Sequence, residues 1–400
     1  MWSARLCAVL AQNALVLTLG WSVYDIARVS LTVREASLRL GLIGLVQFLP
    51  FMLLNPVAGI VADRYDRRVV VRFALFGQLL CVIPLTAIAW WHEANLLVLY
   101  TVAAGFAATR AFYMPAMNAL TPSIVPAEVL PRAIAMGAVA GRVGGILGPV
   151  LGGYAYAIAP ATAYGFVAGL LLLSLGCQLC IRPGKPRESV GRRHPFVLIR
   201  EGFGYVATNR LLLGVISLDL FAVLFGGVTA LLPVYARDIL HVGPNGLGTL
   251  RAASSIGAVV TAIWVSWRPI RHHVGVKMLG AVAVYGGATI IFGFSKSMAL
   301  SVGCLMTLGA ADMISVCIRQ ALVQIATPDA MRGRVGAIST LFVSASNELG
   351  ELESGVASAL MGPVGAVVFG GGASILLALL WSRLFPQLLA ARELDVPNER

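Results

Sequence analysis

Between Gly59 and Arg68 five charged residues, Asp63, Arg64, Asp66, Arg67 and Arg68, stand between two long apolar runs. Leu40 to Ala62 before them and Val69 to Trp91 after them each have the length that a helix rising about 1.5 Å per residue needs to cross a hydrocarbon core of about 30 Å. The charges therefore form a tight turn at a membrane surface. Composition agrees: 58% of the 400 residues are hydrophobic and 12% charged, with a mean hydropathy of +0.85, whereas soluble domains carry about 25% charged residues. Length here counts membrane spans rather than soluble domains. The net charge of +12 does not point to nucleic acid, because the basic residues are spread over loops instead of clustered with aromatics. Cys7, Cys81, Cys177, Cys180, Cys304 and Cys317 all fall in apolar runs, as buried or lipid-facing thiols do, and not in a disulfide framework.

Twelve spans are expected. They lie near Leu6–Arg28, Leu40–Ala62, Val69–Trp91, Asn95–Met117, Ala133–Ile158, Ala161–Ile181, Leu211–Tyr235, Gly246–Trp267, Val276–Phe294, Met298–Ile325, Val335–Met361 and Pro363–Phe385. The first is read as a retained helix and not a cleaved signal, since Gln12 and Asn13 interrupt its apolar region and no A-x-A site follows. Residues 1–181 make a first six-helix bundle, 182–210 a basic cytoplasmic linker, 211–385 a second bundle and 386–400 a tail. Most Lys and Arg fall on one side of the membrane, which places both termini in the cytoplasm. Arg28, Arg34 and Arg39 share the first external loop, and the sequence offers no physical account of that cluster. A shift of 202 residues aligns Arg132 with Arg334, Gly148 with Gly350 and Gly153 with Gly355, so the halves read as a repeat.

Charges inside spans are costly unless they meet water, a partner or a transported ion. Asp25 falls in span one, Arg110 in span four, Arg142 in span five, Asp219 in span seven, Asp312 and Arg319 in span ten, and Glu348, Glu351 and Glu353 in span eleven. Every histidine lies in a loop or at its margin, which leaves carboxylates as the candidate proton carriers. Asp219 sits about 12 Å into its helix and Asp312 about 21 Å, so burial raises their proton affinity towards a switchable range. A structural ion pair with Arg110 or Arg319 is the alternative for each. Glu348 and Glu351, three residues apart, share one helix face while Glu353 points elsewhere; the pair reads as a proton store or as partners of Arg142 or Arg110. Asp25, near the external end, reads as a hydrated group or a cation ligand.

Two motifs carry a family resemblance. Gly59-x-x-x-Asp63-Arg64-x-Asp66-Arg67-Arg68 resembles the loop between helices two and three of the major facilitator superfamily, with Asp66 where the family has glycine. Gly144-x-x-x-Gly148-Pro149-x-x-Gly152-Gly153 matches that family's antiporter motif at every fixed position. Gly144, Gly148 and Gly152 recur on one helix face and admit a close neighbour, and Pro149 removes a hydrogen bond. The stretches from Leu218 to Gly227, Gly309 to Met313 and Ser344 to Gly355 resemble the drug:proton antiporter group that includes the enterobactin exporter. In the superfamily's helix-four motif glycine follows arginine, whereas here Gly105 precedes Arg110.

This resemblance implies an all-α polytopic membrane protein of twelve helices in two six-helix bundles. The implied activity is alternating access and proton-driven export of a drug-like compound, siderophore or secondary metabolite from a bacterial cytoplasm through the inner membrane. It further implies that Asp63 docks on the start of helix eleven, where Arg332 and Arg334 add positive charge to an already positive helix end, and so closes a cytoplasmic gate. Arg64, Arg67 and Arg68 would pair with acids or lipid headgroups, or serve only as topogenic charges. The implied partners are protons, a small molecule, the bilayer and an outer-membrane export system, with a monomer as the working unit and no nucleic acid, cofactor or metal. Uptake symport and lysophospholipid movement are the transport alternatives, and a membrane enzyme or a non-transporting sensor belongs to another class. Against an enzyme, the sequence offers no membrane-embedded His/Asp constellation, P-loop or metal-ligand spacing.

Overall fold

The computed structural model describes residues 1–91, 95–126, 128–181 and 195–390, with the side chains of 63, 195–199 and 330 left aside. Its elements are helices throughout: α1 (Trp2–Ser30), α2 (Val33–Arg64), α3 (Arg67–Trp90), α4 (Leu96–Ile124), α5 (Leu130–Ile158), α6 (Pro160–Leu179), α7 (Pro195–Thr208), α8 (Arg210–Phe225), α9 (Leu232–Val234), α10 (Gly243–Trp267), α11 (Val274–Phe294), α12 (Met298–Ile325), α13 (Asp329–Leu384) and α14 (Pro386–Ala390). Eleven stretches among the described residues are long and apolar enough to cross a membrane. The last of them, in α13, is two spans joined at Gly362, whose φ of 80° breaks the helix just before Pro363. The expected twelve spans are thereby reached. Trp90, Trp91 and Trp267 stand exposed at span ends, as interfacial aromatics do.

Two boundaries depart from the sequence reading. Helix α2 begins at Val33 rather than Leu40, because Thr32 and Glu35 form a reciprocal capping box that starts the helix earlier. Span seven, expected as one helix over Leu211–Tyr235, ends its regular part at Phe225. A 3₁₀ turn (Val228–Leu231), the short α9 and a π-helical turn (Tyr235–Ile239) follow. Gly226 and Gly227 are poor helix formers, and Pro233 has no N–H to give. The interruption is held by side chains: the Tyr285 hydroxyl donates to the Gly226 carbonyl at 2.6 Å and the Ser354 hydroxyl to the Gly227 carbonyl at 3.1 Å.

The helices group into two compact units, one built on α1 to α6 together with Leu232–Ala252, the other on α7, α8 and the chain to Leu231, together with the chain from Ala253. In the first, α1 packs against α5 and α6. A methyl added at Gly144 would lie 2.5 Å from a Val9 methyl, one at Gly148 would lie 2.9 Å from the Leu10 carbonyl oxygen, and one at Gly152 3.0 Å from Ala14 Cα. All three glycines thus face α1. Gly153, a quarter-turn on, faces α10 instead, with the Pro244 carbonyl oxygen 2.5 Å from where its Cβ would be.

In the second unit α13 packs against α8 and α11, over a core that includes Leu212, Val215, Leu218, Met278, Ile318, Leu322 and Trp381. The indole of Trp381 donates to the Gly214 carbonyl at 3.1 Å. Gly350, the repeat mate of Gly148, meets the Val223 carbonyl oxygen at 3.0 Å from its added Cβ. Equivalent glycines therefore receive equivalent helices, α1 in one unit and span seven in the other.

Seam and non-seam glycines of α5 separate experimentally. Gly152→Val is expected to cost about 1–3 kcal/mol through overpacking, lowering the thermal unfolding temperature in detergent. Gly141→Ala, with no atom within 4 Å of the new methyl, is expected to gain up to about 1 kcal/mol from helix propensity.

Candidate functional site

The charged turn is built around helix starts. Asp66 is the N-cap of α3: its carboxylate accepts from the Arg68 backbone N–H at 3.0 Å and pairs with the Arg68 guanidinium. Arg68 holds that carboxyl below the usual aspartate range. The acid standing in a glycine position thus has a capping role. Arg67 reaches the Ala119 carbonyl at 3.4 Å, Arg64 is exposed and Gly59 is partly buried. The Asp63 side chain lies outside the described residues. At the start of α13, Arg334 pairs with Glu201 of α7 at 2.7 Å and Arg332 with Asp329 at 2.7 Å. Sequence reasoning missed Glu201, which sits in a stretch taken for linker; the apolar and polar alternation of α7 was the available signal.

Charges of the first unit gather near the end of α1. Asp25 pairs with Arg237, and Arg237 also donates to the Asp25 backbone carbonyl at 2.9 Å. Arg28 pairs with Asp238 at 3.0 Å, and the Tyr24 hydroxyl donates to the same carboxylate. This gives Arg28, one member of the Arg28, Arg34 and Arg39 cluster, its physical account. The order acid then base in α1 meets base then acid at 237–238, a complementarity visible in the sequence once the two segments are known to touch. Arg110 lies over the Phe51 ring, 5.4 Å from its centroid, as a cation–π contact. Arg142 is on an exposed face of α5.

The second unit holds the most buried charges. Asp219 of α8 and Arg319 of α12 form an ion pair at 3.2 Å with side chains only 6% and 8% exposed. Arg319 also reaches the Ser339 hydroxyl at 3.5 Å. Asp312, two turns before Arg319 on α12, is exposed and lies within electrostatic range of Asp219 and Tyr285. Glu348 is buried, Glu351 and Glu353 are partly buried, and Glu353 stands 3.5 Å from the Ser354 hydroxyl. Of the sequence candidates, the fold brings Asp219, Arg319 and Asp312 together and seats Asp25 with Arg237.

Such an arrangement, helices crossing a membrane with a buried ion pair in a broken span, is that of a polytopic membrane protein. The Major Facilitator Superfamily model matches residues 1–351, and the chain belongs to that superfamily. Its curated relatives include Enterobactin exporter EntS of Citrobacter koseri, 28% identical over 368 residues, 90% of this chain and 85% of the relative. The EntS protein of Escherichia coli O1:K1 is 27% identical over 346 residues, 83% of this chain and 81% of its own. Among solved structures, the inward-facing, unoccupied bacterial homologue of the human lysosomal transporter Spinster aligns with a TM-score of 0.73 at 15% identity, covering 98% of this chain and 96% of its own. The nucleoside transporter NupG aligns with a TM-score of 0.75 at 13% identity, covering 96% and 97%. The protein is a multi-pass membrane transporter and not an enzyme.

Buried ion pairs have a mutational signature. Arg319→Leu is expected to cost about 3–5 kcal/mol by stranding the Asp219 carboxylate, whereas Asp219→Leu with Arg319→Leu is expected to recover most of that loss. Thermal unfolding of the purified variants is the measurement.

Proposed function

We propose that the chain is a proton-coupled exporter of a drug-like compound, siderophore or secondary metabolite, working by alternating access in a bacterial inner membrane with both termini cytoplasmic. The observation that carries this reading is the Asp219–Arg319 pair, 3.2 Å apart and almost fully buried within a span, with the accessible carboxylate of Asp312 beside it. A proton bound at Asp312 would change the charge felt by the Asp219–Arg319 pair, which little water screens. Proton binding on one side and release on the other would then drive substrate in the opposite direction.

The export direction rests on two supports: the Gly144–Gly153 motif, matched at every fixed position, and relatives named for enterobactin export over most of the chain. Siderophores, chelators with several oxygen donors, are accordingly the first substrates to test. Asp63, with Gly59, Arg64, Arg67 and Arg68, is proposed as the cytoplasmic gate, and Glu348 and Glu351 as accessory proton sites. The seam of Gly144, Gly148, Pro149, Gly152 and Gly153 is proposed as a pivot. A monomer delivering to an outer-membrane export system completes the reading.

The test is retention of siderophores, cationic dyes and antibiotics in efflux-deficient bacteria expressing the native chain, Asp219→Asn or Glu351→Gln, with and without an uncoupler. Native expression is expected to lower retention of at least one compound, the uncoupler to abolish the difference, and Asp219→Asn to remove about nine-tenths of it, one decade in rate being about 1.4 kcal/mol. Raised retention on native expression would replace export with uptake.

A further inference from the structure

In the first unit, the end of α1, the ends of α3 and α5 and the starts of α4 and α6 enclose a cavity of about 190 Å³. Aliphatic side chains from α1, α3 and α4 make most of its wall. Its polar groups are Ser22, Asp25, Tyr156 and Tyr164, together with Asn95. The Asn95 side-chain carbonyl is committed to the Leu97 backbone N–H at 3.0 Å, as the cap of α4.

Counting donors fixes the direction of the hydroxyl chain. Ser22 donates to the Tyr156 oxygen at 3.0 Å, and a serine has one proton to give. The 2.6 Å contact between Ser22 and Tyr164 is therefore a bond from Tyr164, a buried phenol whose proton is then spent. Tyr156 accepts without giving: among the described residues no acceptor takes its O–H. The chain from Tyr164 through Ser22 to Tyr156 thus ends on a free donor at the cavity wall. Asp25 supplies the opposite function. Arg237 pairs with one of its carboxylate oxygens, and the second oxygen keeps its lone pairs.

A donor and an acceptor set in hydrocarbon walls select an apolar body carrying a hydroxyl, because that group accepts from Tyr156 and donates to Asp25 through a single atom. Size then selects the body. An aliphatic cavity of about 150 Å³ admits benzene, so this one, at about 190 Å³, admits one six-membered ring with its hydroxyl. The rings of Tyr156 and Tyr164 stand edge to face, with centroids 6.5 Å apart and planes at 84°, and an entering aromatic ring extends that packing.

We propose that this cavity is a binding site for a monocyclic phenol, whose hydroxyl bridges Tyr156 and Asp25 while its ring fills the aliphatic part. The site is built wholly from the first unit and stands whether or not transport is coupled to protons.

Fluorine NMR of 4-fluorophenol and of fluorobenzene, each added to the full-length protein in lipid nanodiscs and to empty nanodiscs, tests the site. 4-Fluorophenol is expected to show a saturable, protein-dependent change with a Kd on the order of 1 mM, a reasonable affinity for so small a ligand. Fluorobenzene, the same ring without the hydroxyl, is expected to bind about fivefold more weakly, the share of one hydrogen bond. Tyr156→Phe, which keeps the ring and removes the donor, is expected to bind the two about equally. Ala89→Phe places a new ring in the cavity and is expected to bind neither. Thermal unfolding checks that both variants fold, and if Ala89→Phe does not, the comparison in Tyr156→Phe decides alone. No protein-dependent signal for 4-fluorophenol, or a preference for it that persists in Tyr156→Phe, overturns the proposal. Binding that survives in folded Ala89→Phe does the same, since the ring then sits elsewhere on the protein.

Discussion

Helices in a bilayer gain nothing from hiding apolar surface, because lipid is as apolar as leucine, so each unit coheres through close packing of backbones at glycine. The approach of α5 to α1 at Gly144, Gly148 and Gly152, and of α13 to span seven at Gly350, fixes which helices are neighbours. Once those contacts are set, the polar groups follow. Asp219 and Arg319 meet only because α8 and α12 are both packed into the core centred on Leu218, Ile318 and Trp381. The hydroxyls of Tyr285 and Ser354 find the carbonyls of Gly226 and Gly227 for the same reason.

Low polarity then sharpens every choice. A carbonyl freed by a helix break in water would take a solvent molecule; here it needs a side chain, and two are supplied. An exposed ion pair in water would contribute little, whereas for a pair buried inside a span the loss of either partner strands a charge.

Most of the fold was legible because membrane crossing imposes length and polarity on each segment independently. Gly362 fell at the expected join between the last two spans, and the matching roles of Gly148 and Gly350 followed from the repeat. Interruption of span seven was not legible from hydropathy, since Gly226, Gly227 and Pro233 sit in a run whose apolar character continues past the break. The N-terminal turns of α2 were missed because a capping box is a local polar signal on an otherwise apolar segment. The site was legible residue by residue but not pair by pair. Asp219 and Arg319 were singled out for being charged in a span, and which basic group Asp219 would choose depends on packing across a hundred residues of sequence. Glu201 and Tyr285 escaped notice because one lies in a stretch read as linker and the other is an ordinary aromatic until its hydroxyl is seen on a carbonyl.

The join at Gly362 has a mechanical side. With a single non-helical residue between its halves, α13 has no slack: a turn this short transmits displacement instead of absorbing it. The ends of the final two spans are therefore held within one residue of each other, so the joint can swivel but cannot spread. An inserted reporter or tag at that apex would have no loop to occupy and would part the two ends.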